Sequence, residues 1–570
     1  MPIFFLTWGR TTNAISARRI IPIQKNISLT TPITNAVSQN TANPASIAES
    51  ICIASSGFIE NKLLSGLLFL LSMDELSQDP VINVALDTIK IGKQALLFVG
   101  TRPSAEKTAE DISKKIKESS GDLEKLSLEV LEALSRPTKQ CERLARCLKK
   151  GIAFHHSGLV AEQKALIEDG FREGKIRIIC CTPTLAAGVD LPAYRAIIRD
   201  LKRFGNSGMA WIPVLEYLQM AGRAGRPKYD TEGQAIVFGS TESEAEAITE
   251  RYVKGEPEEI YSKLAVEPVL RVYVLSMIAS QVTSTRTGLH DFFMRTFWGK
   301  QFHDKKKLSQ YIDRIVSMLE EWDFVKVNEF RSADEDERIT ATEIGRRVSE
   351  LYLDPLTAHQ LIEGLARTKP NTPLFSFAQL ISFTLEMRPL LRVKAREQEN
   401  IEQALVSQTL LVDEPSIYYD EYEDFINSVK TALFFGEWAD EKDEEYLLEK
   451  YTVRPGEIRG KLEVADWLLY ASYELARMMK MQPLLKEIVK ARIRLRYGVK
   501  EELLPLLRLK GIGRVRARKM HNNKIKTIND VKKADISTLR SILGEKVAIE
   551  TKKQVEIPKE DKEQHELEGF

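Results

Sequence analysis

Short apolar runs alternate with longer charged stretches between residues 80 and 255, and this alternation constrains the fold more than any other feature of the sequence. The runs are Gln94–Gly100, Ile152–Phe154, Ile176–Cys181, Ala196–Ile198 and Ala235–Phe238. Apolar runs of this length are expected of strands buried on both faces. Between them Ser104–Ser119, Leu123–Leu148, Ala161–Glu173 and Thr241–Tyr252 read as helices. Strands alternating with helices predict a parallel α/β sheet. Ligands on such sheets gather beyond the carboxyl ends of the strands. Thr101, Arg102, Thr182-Pro183-Thr184 and Asp200 all follow strands directly, so they are placed to touch a substrate.

Beyond residue 255 the pattern changes. Gly255-Glu256-Pro257 reads as a linker. Helices follow, then two alternating segments, Asp323–Val327 and Arg338–Thr342, around a polar turn, which predicts a winged helix to about residue 350. Residues 351–500 read as mostly helical, 501–550 as a helix-hairpin-helix and 551–570 as a charged, disordered tail. With 570 residues there is room for about three to five domains. The net charge of +1 exerts no overall pull on nucleic acid, so any such site must be a local basic patch.

The five cysteines, Cys52, Cys141, Cys147, Cys180 and Cys181, lack a disulfide framework and point to reduced thiols in an intracellular setting. Cys141, Cys147, His155 and His156 match no zinc spacing, so no metal site is expected. His155 and His156 end a strand, where packing and turn hydrogen bonds are favoured over catalysis.

Residues 1–79 read as atypical. From Ile27 to Ile59 the sole charged side chain is Glu49, and Arg10, Arg18 and Arg19 resemble a transit peptide without its amphipathic helix. Leu63–Leu71 is apolar but too short to span a bilayer.

Two blocks carry chemistry. Gln219-Met-Ala-Gly-Arg-Ala-Gly-Arg226 sets Arg223 and Arg226 three residues apart, on one face if helical. Guanidinium forks suit a phosphoryl group; the alternative is a helix end with two solvated arginines. Thr182-Pro-Thr-Leu-Ala-Ala-Gly-Val-Asp190-Leu-Pro precedes it. Between them Gly205, Asn206 and Gly208, flanked by Phe204 and Trp211, predict a β-hairpin.

Near the end, Leu509-Lys-Gly511-Ile-Gly513-Arg514-Val-Arg516-Ala-Arg518-Lys519 combines turn glycines with positive charge. The glycines allow a turn whose amides can bind phosphate at a helix start, and the charge should make binding salt-dependent.

In the Gly456–Lys480 helix, Ile458, Leu462, Ala465, Leu469 and Ala476 form the apolar stripe. Trp467 falls on the other side, beside Glu463 and Glu474, where solvation is expected; stacking on a base and packing on a neighbouring domain are both open.

These blocks and Phe154-His-His-Ser-Gly-Leu159, taken in order from about Val81 to Val547, resemble the archaeal superfamily-two DNA repair helicases related to the helicase part of polymerase theta. The Thr182 and Gln219 blocks look like that family's motifs V and VI. The implied fold is α/β plus all-α: one RecA-like parallel α/β domain, then winged-helix, helical ratchet and helix-hairpin-helix domains. The winged helix mainly braces the motor in this family and is assigned no site.

The family translocates three-prime to five-prime on single-stranded DNA with ATP and Mg2+ and acts at stalled forks. By that resemblance Thr182, Thr184, Thr101 and Arg102 follow the tracked strand. Gly188 gives close approach and Asp190 couples to the ribose. Gln219, Arg223 and Arg226 serve the ATP γ-phosphate, with Arg226 the better arginine finger. Phe204 lies on the wedge hairpin. Trp467 with Arg459 belongs to a ratchet helix, and Gly511, Gly513, Arg514, Arg516 and Arg518 bind DNA. Gly460 stands where relatives commonly carry arginine.

Two RecA-like domains are usual, and here the second alone is recognisable. Gly92-Lys93 is followed by Gln94, no Gly-Lys-Thr or Gly-Lys-Ser occurs, and Asp74-Glu75-Leu76-Ser77 does not match the magnesium-holding Asp-Glu-x-His. A truncated or misassembled frame with foreign sequence at its start is therefore expected, inactive alone as an ATP hydrolase. Expected partners are single-stranded and forked DNA, a separate first motor domain or replication-fork proteins, in the cytoplasm at the nucleoid and off the membrane. The alternative is a non-catalytic single-strand or branched-DNA binder that needs a separate ATP-binding subunit. An RNA helicase fragment is disfavoured by the helix-hairpin-helix.

Overall fold

The structure, a computed structural model, describes residues 77–556 except 118–119, 135, 206–207, 226–229, 231, 303 and 329–336, together with the backbone of three strands before residue 55. Arg226, Asn206, Leu63–Leu71 and the tail beyond Glu556 lie outside the described residues. The chain divides into two units, Met1–Glu259 and Ile260–Phe570.

The strands of the first unit are β1 (Ile3–Thr11), β2 (Ala14–Ser16), β3 (Ser50–Ala54), β4 (Ala95–Phe98), β5 (Ile152–His155), β6 (Ile178–Cys181), β7 (Arg195–Ile198), β8 (Lys202–Gly205), β9 (Gly208–Trp211) and β10 (Glu232–Phe238). β10, β7, β4, β6 and β5 run parallel in that order, as the apolar runs predict. From β4 the chain builds one side with β5 and β6, then crosses to β7 and β10 on the other. The crevice at such a reversal is where open α/β sheets bind ligands. β1 adds to β10 antiparallel and itself pairs with β2 and β3.

Local chemistry sets the helix starts. Thr101 caps Arg102–Ser113 by accepting from Ser104 N at 3.2 Å, with Pro103 in the first turn. The stretch predicted as one helix over Leu123–Leu148 is two, Gly121–Glu132 and Lys139–Leu148. Pro137 offers no amide hydrogen to continue the first helix, and Thr138 caps the second.

One charged residue sits inside the sheet core. Arg195, 1% exposed, donates to Gln234 Oε1 at 2.8 Å, Asp87 Oδ2 at 2.6 Å and Thr88 Oγ1 at 3.0 Å. The buried guanidinium is therefore paired and satisfied.

In the second unit, helices Glu267–Ala279, Arg286–Met294 and Lys305–Glu321 precede an antiparallel pair, β11 (Val325–Asn328) and β12 (Arg338–Ala341), as expected of a winged helix. Its core continues into the following helices as far as Leu495. The buried Arg271 forks onto Asp354 at 2.5 and 2.9 Å, tying the two segments. A separate core from Ile493 to Ala548 holds Arg514–Asn522, Ile528–Lys533, Ile536–Leu543 and Glu545–Glu556. The charged tail thus stays helical to Glu556, beyond the expected boundary at Thr551.

Candidate nucleotide and DNA interface

The carboxyl ends of β4, β6 and β7 carry the predicted motor residues. Asp200, just after β7, accepts from Gly100 N at 2.8 Å, joining the loops after β7 and β4. That bond fixes the backbone just before Thr101, whose side chain is exposed beside the half-buried Arg102. Thr182 follows β6; its hydroxyl lies 2.9 Å from that of Thr184, and its N–H donates to His155 O at 3.3 Å. The two hydroxyls therefore form one polar surface at the start of the Thr184–Gly188 turn. A Cβ on Gly188 would meet nothing within 4 Å, so the surface above it is open.

Arg223 leaves the end of the Val214–Ala221 helix and reaches back to that turn. Its Nε donates to Ala186 O at 2.9 Å, a second guanidinium nitrogen donates to the same oxygen, and Nη1 lies 3.8 Å from Asp190 Oδ1. Asp190 is 96% exposed at its side chain, so this pair stands at the surface. Gln219, one turn earlier, is exposed. The loop's backbone is fixed by Ala193, which accepts from Gly225 N at 2.6 Å and donates to Arg223 O at 2.9 Å. Gly225 adopts φ +89°, and a Cβ on Gly233 would lie 2.2 Å from Gly225 N, so both glycines are required for the approach.

His155 and His156 serve the scaffold. His155 Nε2 lies 3.0 Å from Glu168 Oε1, and burial holds its imidazole below the usual value against the pull of that carboxylate. His156 Nδ1 accepts from Gly158 N at 3.1 Å, which puts the neutral ring's proton on Nε2, 3.2 Å from Glu106 Oε1. Cys141, Cys147, Cys180 and Cys181 are buried free thiols, and burial pushes Cys147 up to about 11.

β8 and β9 form the predicted hairpin, with Phe204 opposite Met209. Phe204 is 81% exposed and Met209 66%, a paired apolar tip in which Met209 went unrecognised in the sequence. The base is braced: Arg203 forks onto Glu216 at 3.0 and 2.7 Å, and Lys202 lies 4.1 Å from the Trp211 ring centre while donating to Glu244 at 2.7 Å. Trp211 is thus a base residue, in contact with Tyr252.

The predicted ratchet helix spans Pro455–Met478. Its Trp467 side is less solvated than expected. Trp467 is half-buried and its indole N–H donates to Leu351 O at 3.0 Å. Glu474 is buried and accepts from Arg347 at 2.7 Å and Arg477 at 2.8 Å. The expected open acidic side is, over its second half, a packed face against the Glu343–Glu350 helix. Towards the start of the helix, Gly460 and Glu463 are exposed, Arg459 is half-buried, and a Cβ on Gly460 would meet nothing within 4 Å.

The basic hairpin divides into two sets. Gly511 adopts φ +81°, and Gly513 caps the Arg514–Asn522 helix. Arg514 donates to Lys442 O at 2.7 Å and lies 4.9 Å from the Trp438 ring centre. Arg518 donates to Glu441 at 2.8 Å and meets Glu502 at 2.7 Å. These two predicted DNA ligands dock the hairpin onto its own unit. Arg516 and Lys519 are exposed, Arg516 donating to Gly511 O at 2.8 Å.

Comparison with known proteins agrees with this order of parts. The family model described as helicase conserved C-terminal domain matches residues 80–228, archaeal helicase domain 4 matches 375–498, and the SAM-like helix-hairpin-helix tandem matches 503–550. The chain is 37% identical over 509 residues to the ATP-dependent DNA helicase Hel308 of Methanocella arvoryzae, covering 86% of this chain and 67% of the relative. It is 38% identical to the proteins of that name from Pyrococcus abyssi and Pyrococcus horikoshii, in each case over 81% of this chain and 64% of theirs. The chain therefore spans about two thirds of the length of these relatives. With the RecA-like sheet, the helical segment and the final hairpins all matched in sequence, the chain belongs to the Hel308 family of archaeal DNA helicases.

Proposed function

We propose that this chain supplies the DNA track, the wedge and the arginine finger of an ATP-dependent helicase that moves three-prime to five-prime on single-stranded DNA and opens forked duplexes. The observation that carries the reading is the bond from Arg223 to Ala186 O, which links the block read as phosphate-sensing to the turn bearing Thr182 and Thr184. Arg223 and Gln219 suit the γ-phosphate end of a nucleotide, with Arg226 beside them in sequence, and Asp190 and Gly188 suit its ribose side. ATP with Mg2+ would supply the phosphoryl group transferred to water, with ADP as the leaving group, and its remaining phosphates need a cradle the sequence lacks.

In this reading Thr182, Thr184, Thr101 and Arg102 hold strand phosphates without reading sequence. Phe204, with Met209, stands at the duplex junction. Trp467 and Arg459 follow the emerging strand. Gly511, Gly513 and Arg516 contact phosphate, while Arg514 and Arg518 position that hairpin. The test is strand separation of a forked duplex with a three-prime overhang. The chain is mixed with a separately produced first RecA-like domain of a relative. Unwinding by the mixture, and its loss in Phe204→Ala/Met209→Ala, supports the reading; unwinding unchanged by that variant removes the wedge.

A second reading, a non-catalytic binder of single-strand or branched DNA that borrows a separate ATP-binding subunit, is favoured by the lack of Gly-Lys-Thr or Gly-Lys-Ser in all 570 residues. Tight DNA binding without unwinding in the same mixture selects it.

A further inference from the structure

Within the second unit a surface groove of about 540 Å³ opens between the Pro355–Ala366 helix, the Leu374–Ser382 helix and the segment leading to Glu421. It lies outside every residue assigned to nucleotide or DNA above. Its floor is apolar, with Leu380, Phe383 and Leu411, and the helices meet so closely that a Cβ on Gly364 would lie 2.5 Å from Leu380 Cδ1. Its walls carry Glu363, Asp413, Glu414 and Glu421 against one cation, Arg367. That cation is already spent, meeting Asp413 at 2.8 Å through two nitrogens.

The rim repeats the pattern. From Asp413 to Asp424 the sequence holds six carboxylates and three tyrosines and no lysine or arginine. Arg388 meets Asp424 at 2.7 Å and Arg392 meets Glu423 at 3.5 Å, while Glu414, Asp420 and Glu421 are exposed. Ile417, Tyr418 and Tyr419 are also exposed, Tyr418 at 89%. Exposed apolar groups grouped this way mark interaction sites. A field of this sign repels phosphate, so nucleic acid is the wrong occupant. It attracts ammonium and guanidinium groups, and tyrosine faces hold such cations directly.

We propose that this groove docks a lysine- and arginine-rich segment of a partner protein, with an apolar anchor on Leu380 and Phe383 and cations against Glu363, Glu414, Glu421 and the two exposed tyrosines.

The test uses the full chain and a fluorescent synthetic twelve-residue peptide of alternating lysine and arginine with one central leucine, followed by anisotropy. Binding should weaken about tenfold in Glu414→Lys/Glu421→Lys and about fivefold in Tyr418→Ala/Tyr419→Ala. It should also fall when the lysines are acetylated. All four substituted side chains are exposed, so the variants should unfold at the wild-type temperature. Hydrogen exchange should show protection of residues 411–421 with peptide. Equal binding by wild type and the charge-reversed variant, or protection elsewhere, overturns the proposal. Stronger binding of a single-stranded oligonucleotide to wild type than to the reversed variant at this face also overturns it, as does peptide-independent dimerisation through it.

Discussion

Trp467 donates its indole N–H to the backbone carbonyl of Leu351 at 3.0 Å, so the one tryptophan of the Pro455–Met478 helix is held by a segment 116 residues earlier. A ring fixed at one edge keeps its remaining surface in a set orientation. Trp467→Phe keeps an aromatic face and orphans the carbonyl. It should lower stability by about 1 kcal/mol in urea unfolding and leave single-strand affinity within about threefold if stacking is the ring's role. Trp467→Ala should lose both. Unchanged DNA affinity in the alanine variant would leave the ring a packing residue.

Gly460 offers the converse test. Nothing stands within 4 Å of its absent Cβ, so Gly460→Arg can be accommodated on the exposed side of the helix. The variant should bind single-stranded DNA about fivefold more tightly and steepen the salt dependence by about 0.7 in log–log slope, as one added phosphate contact requires. Anisotropy titrations across a salt series measure both.

The terminal hairpin predicts a split between affinity and stability. Arg516→Ala should weaken DNA binding and leave unfolding unchanged, because Arg516 is exposed. Arg518→Ala should lower the melting temperature, because it strands Glu441, whose carboxyl Arg518 and the Lys500 N–H hold below its ordinary value. Equal effects of the two substitutions on stability would contradict the division.

Lys202 and Ser240 hold the Glu244 carboxyl down to about 2. A carboxyl held lower in the folded state contributes stability that is complete above its unfolded value near 4.5 and is lost as pH falls from there towards 2. Glu244→Gln should flatten the pH dependence of unfolding in that window. Since Lys202 begins β8, it should also loosen the hairpin, read as faster hydrogen exchange in Lys202–Trp211.

Much of the motor domain was legible because its strands are buried on both faces and so appear as apolar runs. Arg195 shows where that reasoning stops. Its charge displaced the expected start of β7 to Ala196, and its partners Asp87 and Gln234 lie far off in sequence. The division of arginines was equally hidden: Arg514, Arg516 and Arg518 look alike in sequence, and the Trp438–Lys442 region together with Glu502 decides which are spent. The face of Glu474 misled for the same reason, since Arg347 arrives from another helix.

In the proposed function Arg223 is one half of a divided ATP site, and DNA-stimulated ATP hydrolysis measures that directly. The purified chain alone should show negligible turnover. Adding a first RecA-like domain should restore it, and Arg223→Ala should cut the restored rate about 10³-fold. Strong DNA-stimulated hydrolysis by the chain alone, or a restored rate indifferent to Arg223→Ala, would contradict the account.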